Sequence, residues 1–338
     1  MTLGIGFIGC GLIANSHAQR LETVAEAAIV SCFDIDADRM AAFASTFGAV
    51  QAKSFDEVIS ASDAVYVTTW TSEHRELVEA VVAQGKPVFC EKPLGVNLAD
   101  AQAIHDAVQA SGVVNQVGLV LRHSPAFRWM QHHVNNAADH GEPMSLLFRD
   151  DQYIPVQGMY GSTWRADVAK AGAGTLLEHS IHDLDLIEWI FGRIVRVSCT
   201  TMNLHGHPGI EDQATVMLTA DHGGSAVLSS TWHDVLSRPS QRYVEAFCQN
   251  ACIRLAGDWH GPVGLVAGSE PDAEWSGGDL ASMADTLDGR GTNPDADFVR
   301  KVIAGTPAYP DFSVALRAHV LADAAYRSAA AGGIPIDL

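Results

Sequence analysis

Residues 4–14 read GIGFIGCGLIA. The apolar run Ile5, Phe7, Ile8 has the character of a short buried strand, and the chain then turns hard into a helix. Gly9, Gly11 and Ala14 fill the spacing G-x-G-x-x-A. Each has a separate physical duty: Gly9 for a tight turn, Gly11 for close approach of a pyrophosphate to the backbone, Ala14 for close packing of helix on strand. The pyrophosphate would then rest on unpaired N–H groups at the positive end of the helix. A glycine triplet alone is a weak signal, but the flanks agree with it. An amphipathic helix follows (Ile13, His17, Leu21, Val24), then a second strand over 27–33, ending at Asp34. A carboxylate there accepts both ribose hydroxyls of an adenosine and repels a 2′-phosphate, so NAD is the expected cofactor and NADP the less favoured one.

Outward from that motif, strands and helices alternate to about residue 121, which predicts a parallel sheet covered on both faces. Ser54–Glu57 is a capping box, Gly48 and Gly85 stop helices, and Asn97 starts one. Strands are expected over 63–70, 86–90 and 113–121. Beyond Arg122 the pattern changes. Ser124-Pro125 opens a helix, and strands then follow one another over 144–150, 194–203, 213–220, 225–232, 243–248 and 251–255. Successive strands without helices between them predict a mostly antiparallel sheet. Residues 257–293, rich in Gly, Asp and Ser, read as a long loop or lid, followed by helices over 295–304 and 313–330. The expectation is an α/β Rossmann domain over 1–122 and an α+β domain over 123–338, with the late helices able to pack back on the first domain. An open antiparallel sheet invites a second subunit, so a homodimer or homotetramer is expected.

The chain has 338 residues, 40 acids against 21 Lys and Arg, and a formal net charge of −19, which argues against nucleic acid or an anionic membrane as partner. The first residues run straight into a strand without a basic leader or cleavage site, and no apolar run reaches membrane-spanning length. The six cysteines include no C-x-x-C pair and read as small hydrophobes in a reducing compartment. A cytoplasmic location is expected.

Three places carry candidate chemistry. Glu91-Lys92-Pro93 follows a buried strand, and a lysine there reaches a substrate hydroxyl and takes part in proton transfer. In GAGTLLEHSIHDLD, residues 172–185, Glu178 and His182 stand four apart and Asp185 one turn on, so one continuous helix would align them on a face. An imidazole flanked by carboxylates suits proton abstraction. His179, His182 and Asp185 could also be read as metal ligands, but His179 points about a hundred degrees away from Glu178 and no cysteine or third histidine completes the set, so no metal is expected. Tyr153, Tyr160, Trp164 and Arg165 in the loop over 150–167 offer apolar faces with polar tips, which suit a sugar ring or pack the loop itself.

GFIGCGLIA, EKP at 91–93 and GAGTLLEHSIHDLDLIEW at 172–189, in that order, resemble the glucose–fructose oxidoreductase/inositol dehydrogenase (Gfo/Idh/MocA) family of NAD(P)-dependent oxidoreductases. The resemblance implies hydride transfer between a secondary hydroxyl of a sugar or cyclitol and nicotinamide C4. It implies that Lys92 orients or relays protons at that hydroxyl and that His182 is the general base. The cofactor contacts expected are Gly9, Gly11, Leu12, Ile13, Asp34, Thr69, Trp70, His74, Glu91 and Lys92. The substrate contacts expected are Lys92, Arg122, Tyr153, Trp164, Arg165, Glu178 and His182, with Glu178 counted among the catalytic groups. Glu178 stands where the family usually has aspartate, Trp70 where it usually has proline, and His123 follows the matched Arg122. These departures bear on the substrate rather than the fold. Rival readings are a redox-assisted lyase or glycosidase that regenerates its NAD, a non-catalytic dinucleotide-binding sensor, and a reductase of imines or double bonds; net accumulation of NADH separates the first from a dehydrogenase.

Overall fold

The computed structural model describes residues 2–268, 272–289 and 291–338. In chain order the elements of the first sheet and its helices are β1 (Leu3–Ile8), α1 (Leu12–Leu21), β2 (Ala27–Phe33), α2 (Ala37–Phe47), β3 (Val50–Gln51), α3 (Phe55–Ala61), β4 (Ala64–Val67), α4 (His74–Ala83), β5 (Val88–Cys90), α5 (Leu98–Ser111) and β6 (Asn115–Val117). There follow α6 (Pro125–Val134), α7 (Ala137–His140), β7 (Pro143–Tyr153), α8 (Val168–Ala171), α9 (Thr175–Glu178) and α10 (Ile181–Phe191). The chain continues through β8 (Ile194–Met202), β9 (Gln213–Ala220), β10 (Ser225–His233), β11 (Gln241–Cys248), β12 (Ala251–Leu255), β13 (Val263–Ala267) and β14 (Ala273–Trp275). It closes with α11 (Gly277–Asp288), α12 (Pro294–Ala304), α13 (Phe312–Ala330) and β15 (Ile336–Asp337). Two compact units divide it. One holds the residues through Leu119 with Ala169–Ala171 and Asn293–Leu316; the other holds Val120–Val168, Gly172–Thr292 and Arg317–Leu338.

The first unit is a six-stranded parallel sheet in the order β3-β2-β1-β4-β5-β6. The order reverses between β1 and β4, which puts a crevice at their carboxyl ends, Ile8 and Val67, where such sheets bind ligands. All of β1 is buried, as expected of a parallel strand covered on both faces. Local chemistry starts and stops the helices. Asp36 caps α2 by accepting from the Asp38 and Arg39 N–H groups, Asn97 caps α5 through the Asp100 N–H, and Gly48 and Gly112 end these helices in left-handed conformations. The core is a run of aromatic rings: Phe7 on Tyr66 at 4.9 Å, Tyr66 on Phe89 at 4.6 Å, and Phe89 against Phe298 of α12 at 5.8 Å.

The second unit is a nine-stranded sheet in the order β14-β13-β12-β11-β7-β10-β9-β8-β15. Only β7 and β10 pair in parallel; the other neighbours run antiparallel. Burial alternates along β9, β10 and β11, so one face is packed against helices and the other is not. The uncovered face carries Leu147, Met217, Phe247 and Val266, all exposed.

The expected loop or lid of the second unit is overturned. Residues 257–293 are not a loop: β13 and β14 extend the sheet beyond β12, and α11 packs against α6. Helix α11 buries Leu280 and Ala284, one turn apart, too few apolar positions for a readable period. Arg128, itself buried, holds its last turn by donating to the carbonyls of Ala284 and Gly291 at 2.6 and 3.2 Å. Residues 269–271 and 290 of this stretch lie outside the described residues. The last strand of the first sheet is also shorter than the expected 113–121; β6 stops at Val117 and a helical turn occupies Val120–His123.

Candidate active site

In the first unit the turn after β1 separates the two glycines by role. Gly9 has φ +94°, and a Cβ there would lie 2.7 Å from the Thr68 carbonyl group, so the turn tolerates only glycine. A Cβ on Gly11 would meet nothing within 4 Å. Gly11 is the N-cap of α1 and no side chain caps the helix, which leaves first-turn N–H groups for an anion. Leu12 and Ile13 beside it are exposed. Asp34, at the end of β2, accepts the N–H groups of Cys10 and Asp36 at 2.7 and 2.8 Å. Two N–H donors thus fix the carboxylate next to the glycine turn, with lone pairs left for ribose hydroxyls. These residues fit a dinucleotide.

Across the switch point, Thr68 ties β4 to the turn through the Ile8 and Gly9 carbonyls at 3.1 and 2.8 Å. Thr69 and Trp70 follow, half-buried. The Lys170 ammonium sits 4.1 Å from the centre of the Trp70 ring, a cation–π contact. His74 opens α4, and its Nδ1 lies 2.9 Å from the Pro93 carbonyl oxygen, so the histidine grips the EKP loop. The Lys92–Pro93 bond is cis and Lys92 is half-buried. Glu91 is buried, with His17 Nε2 2.9 Å from its Oε1 and the Lys92 N–H 3.2 Å from its Oε2.

In the second unit the stretch expected as one helix is two. Helix α9 ends at Glu178 and α10 begins at Ile181. Gly174 leaves room for the Glu211 backbone, and the Glu211 carboxylate accepts the Gly174 and Leu176 N–H groups at 2.8 and 2.9 Å, capping α9. Between the helices, His179 and Ser180 are drawn to Asp150 of β7: its Oδ2 lies 2.7 Å from His179 Nε2 and 3.4 Å from the Ser180 hydroxyl. Asp150 outcompetes the helical path there. Glu178 accepts from Arg165 at 3.0 Å, and Asp185 takes a two-pronged bond from Arg122 at 2.8 and 2.6 Å. Glu178 and Asp185 therefore each have a guanidinium of their own. Arg122 also lies over the Trp189 ring at 5.1 Å and Arg165 over Trp164 at 4.6 Å. His182 is buried on α10. Tyr153 ends β7, packs tilted against Tyr160 with ring centres 5.4 Å apart and accepts the Met159 N–H at 3.2 Å, so it shapes its own loop.

Beneath the break lies an ionic cluster that no local pattern announced. Arg242 of β11 donates to Asp183 at 2.9 Å, Asp258 at 2.8 Å and Asp150 at 3.0 Å. Burial, and then the Asp150 charge, push Asp183 up to about 7.

Residues 3–119 match a family model described as an oxidoreductase family, NAD-binding Rossmann fold, and residues 132–254 match the GFO/IDH/MocA C-terminal domain. The chain belongs to the GFO/IDH/MocA family. Its first unit is that family's NAD-binding Rossmann fold and its second carries the family's C-terminal domain. Among relatives in the family, an inositol 2-dehydrogenase 3 of Saccharopolyspora erythraea is 35% identical over 195 residues, 56% of this chain and 54% of that protein. An inositol 2-dehydrogenase of Cereibacter sphaeroides is 32% identical over 230 residues, 66% of this chain and 65% of that protein. The chain thus matches between about half and two thirds of the length of these relatives. Among solved structures, a levoglucosan dehydrogenase in complex with NADH superposes with a TM-score of 0.88 at 19% identity, over 100% of this chain and 99% of that one. An oxidoreductase domain protein from Kribbella flavida does so with a TM-score of 0.86 at 22% identity, over 100% and 99%. At these identities the likeness is one of fold.

Proposed function

We propose that this GFO/IDH/MocA protein is an NAD-dependent dehydrogenase of a sugar, cyclitol or related polyol, with NADP as the less favoured cofactor. The observation that carries the reading is the uncapped first turn of α1 beside Asp34: phosphates fit one, an unphosphorylated ribose the other. The substrate class rests on the inositol 2-dehydrogenases among the relatives. With NAD bound as hydride acceptor the alcohol would be oxidised to a ketone, and His182 takes its hydroxyl proton. Lys92 and Glu178 hold the hydroxyl, while Arg122, Tyr153, Trp164 and Arg165 line the sugar. Because Arg165 already neutralises Glu178, that acid acts as a hydrogen-bond acceptor rather than a second base. The exposed apolar face of the second sheet accords with a homodimer or homotetramer, and six free cysteines accord with the cytoplasm. Among the described residues no helix is long and apolar enough to cross a membrane.

The test is a panel of cyclitols, pyranoses and sugar acids with NAD and with NADP, read as NADH formation. The expected result is net NADH with at least one polyol and a loss of about 10²–10⁴ in kcat for His182→Ala. Unchanged turnover in that variant overturns the assignment of the base. Substrate consumption without net NADH points instead to a redox-assisted lyase or glycosidase.

A further inference from the structure

The geometry points to His17 and Asp295 as positioning residues for Lys92, acting through Glu91. This rests on the dehydrogenase reading above, and every group in it belongs to the first unit.

His17 is fully buried on α1, the helix whose first turn faces the dinucleotide. Each ring nitrogen faces a carboxylate: Nε2 lies 2.9 Å from Glu91 Oε1 and Nδ1 2.7 Å from Asp295 Oδ1. The two carboxylates favour a proton on each nitrogen against the nearby Arg20 guanidinium, which makes the buried ring an imidazolium. The other Glu91 oxygen accepts the Lys92 N–H. Gly118 packs against the Glu91 carboxylate where any Cβ would collide with it. Asp295, on α12, is held in turn by Arg20, whose Nε lies 2.5 Å from Oδ2 and whose Nη2 lies 2.9 Å from His17 Nδ1. The Lys92 charge also acts on Glu91, while Tyr66 and Phe89 close over the His17 ring at 5.5 and 4.7 Å. Glu91 and Asp295 thus share the cations around them, and the Glu91 end of this chain of contacts fixes the backbone of the proposed catalytic lysine. Burial works against the His17 charge, but Asp295 and Glu91 outweigh it and hold the ring up to about 9. Loss of that proton removes the positive charge between the two acids, and the Lys92 N–H, bonded to the same Glu91 carboxylate, reports the change.

The experiment uses the full-length protein. In His17→Asn and Asp295→Asn, kcat should fall about 10–100-fold, while the NADH Kd and the polyol KM stay within about twofold. His17→Asn combined with Glu91→Gln should cost no more than either alone. The second readout needs no substrate: in the ¹⁵N-labelled protein the Lys92 amide resonance should shift as His17 titrates near pH 9, and that transition should vanish in Asp295→Asn. A wild-type kcat in both single variants, or a Lys92 amide that ignores His17, overturns the proposal. If no polyol is turned over, the dehydrogenase reading fails while the amide titration still decides this one.

Discussion

Asp150 Oδ2 lies 2.7 Å from His179 Nε2 and 3.0 Å from Arg242 Nη2, so one buried carboxylate on a strand joins the break between α9 and α10 to the cluster beneath it. Arg242 is the guanidinium that all three acids of that cluster share. Arg242→Met leaves Asp150, Asp183 and Asp258 without it. Breaking a buried pair from one side costs about 3–5 kcal/mol, and urea unfolding should show that loss.

Asp183 gives stability a pH dependence. Its folded-state pKa is raised from 3.8 to about 7, so between those values the folded chain holds a proton the unfolded chain has lost. The contribution is whole below pH 3.8 and declines as pH rises to about 7. Asp183→Asn removes the titrating group. Urea unfolding across that range should show a smaller fall with pH in the variant than in the parent.

The two glycines of the dinucleotide turn should fail differently. In Gly9→Ala the new Cβ meets the Thr68 backbone at 2.7 Å with φ at +94°, so the first unit should lose stability. In Gly11→Val the first added atom meets no protein neighbour within 4 Å, so thermal unfolding should be close to the parent's while NADH binding weakens at least about tenfold. Fluorescence titration of NADH against a melting curve separates the outcomes. A Gly11→Val protein that binds NADH normally would show that the phosphates lie elsewhere.

Asp34→Asn keeps an oxygen for the Cys10 N–H but removes the charge that repels a 2′-phosphate. The ratio of kcat/KM for NADP to that for NAD should rise about tenfold or more. A ratio that does not move would mean that Asp34 serves only to brace the turn.

The row Leu147, Val227, Met217 crosses three adjacent strands in register, with Leu147 and Met217 exposed. Leu147→Glu with Met217→Glu puts two charges into that face. Sedimentation should then show a smaller species than the parent. An unchanged sedimentation coefficient would remove this face from consideration as a subunit contact.

How much of this was legible depended on sequence distance. The glycine turn, Asp34 and the capped helices are local, each set by residues a few positions apart or by one strand–helix–strand unit, and their patterns sit openly in the chain. The antiparallel strands over 194–255 announced themselves as successive strands with no helix between them. β13 and α11 did not: their glycines blur the period, and their reason to form lies in β12 and α6. The helix over 175–191 reads as continuous because its propensities are; its break comes from Asp150, which has no mark in the local pattern. His17, Glu91 and Asp295 stand 74 and 278 positions apart in their two contacts, and nothing short of the folded chain brings them together.

The segment Asn293–Leu316 belongs to the first unit although it is made after residues 120–168 and 172–292 of the second. Phe298 plugs the aromatic core and Asp295 balances a buried imidazolium. A ribosome that has released residues 1–119 has therefore made a nucleotide-binding layer that still lacks a ring and a counter-charge. A fragment cut at the end of the first sheet would inherit both defects, and grafts or fusions that borrow this layer need residues 293–316 supplied alongside it.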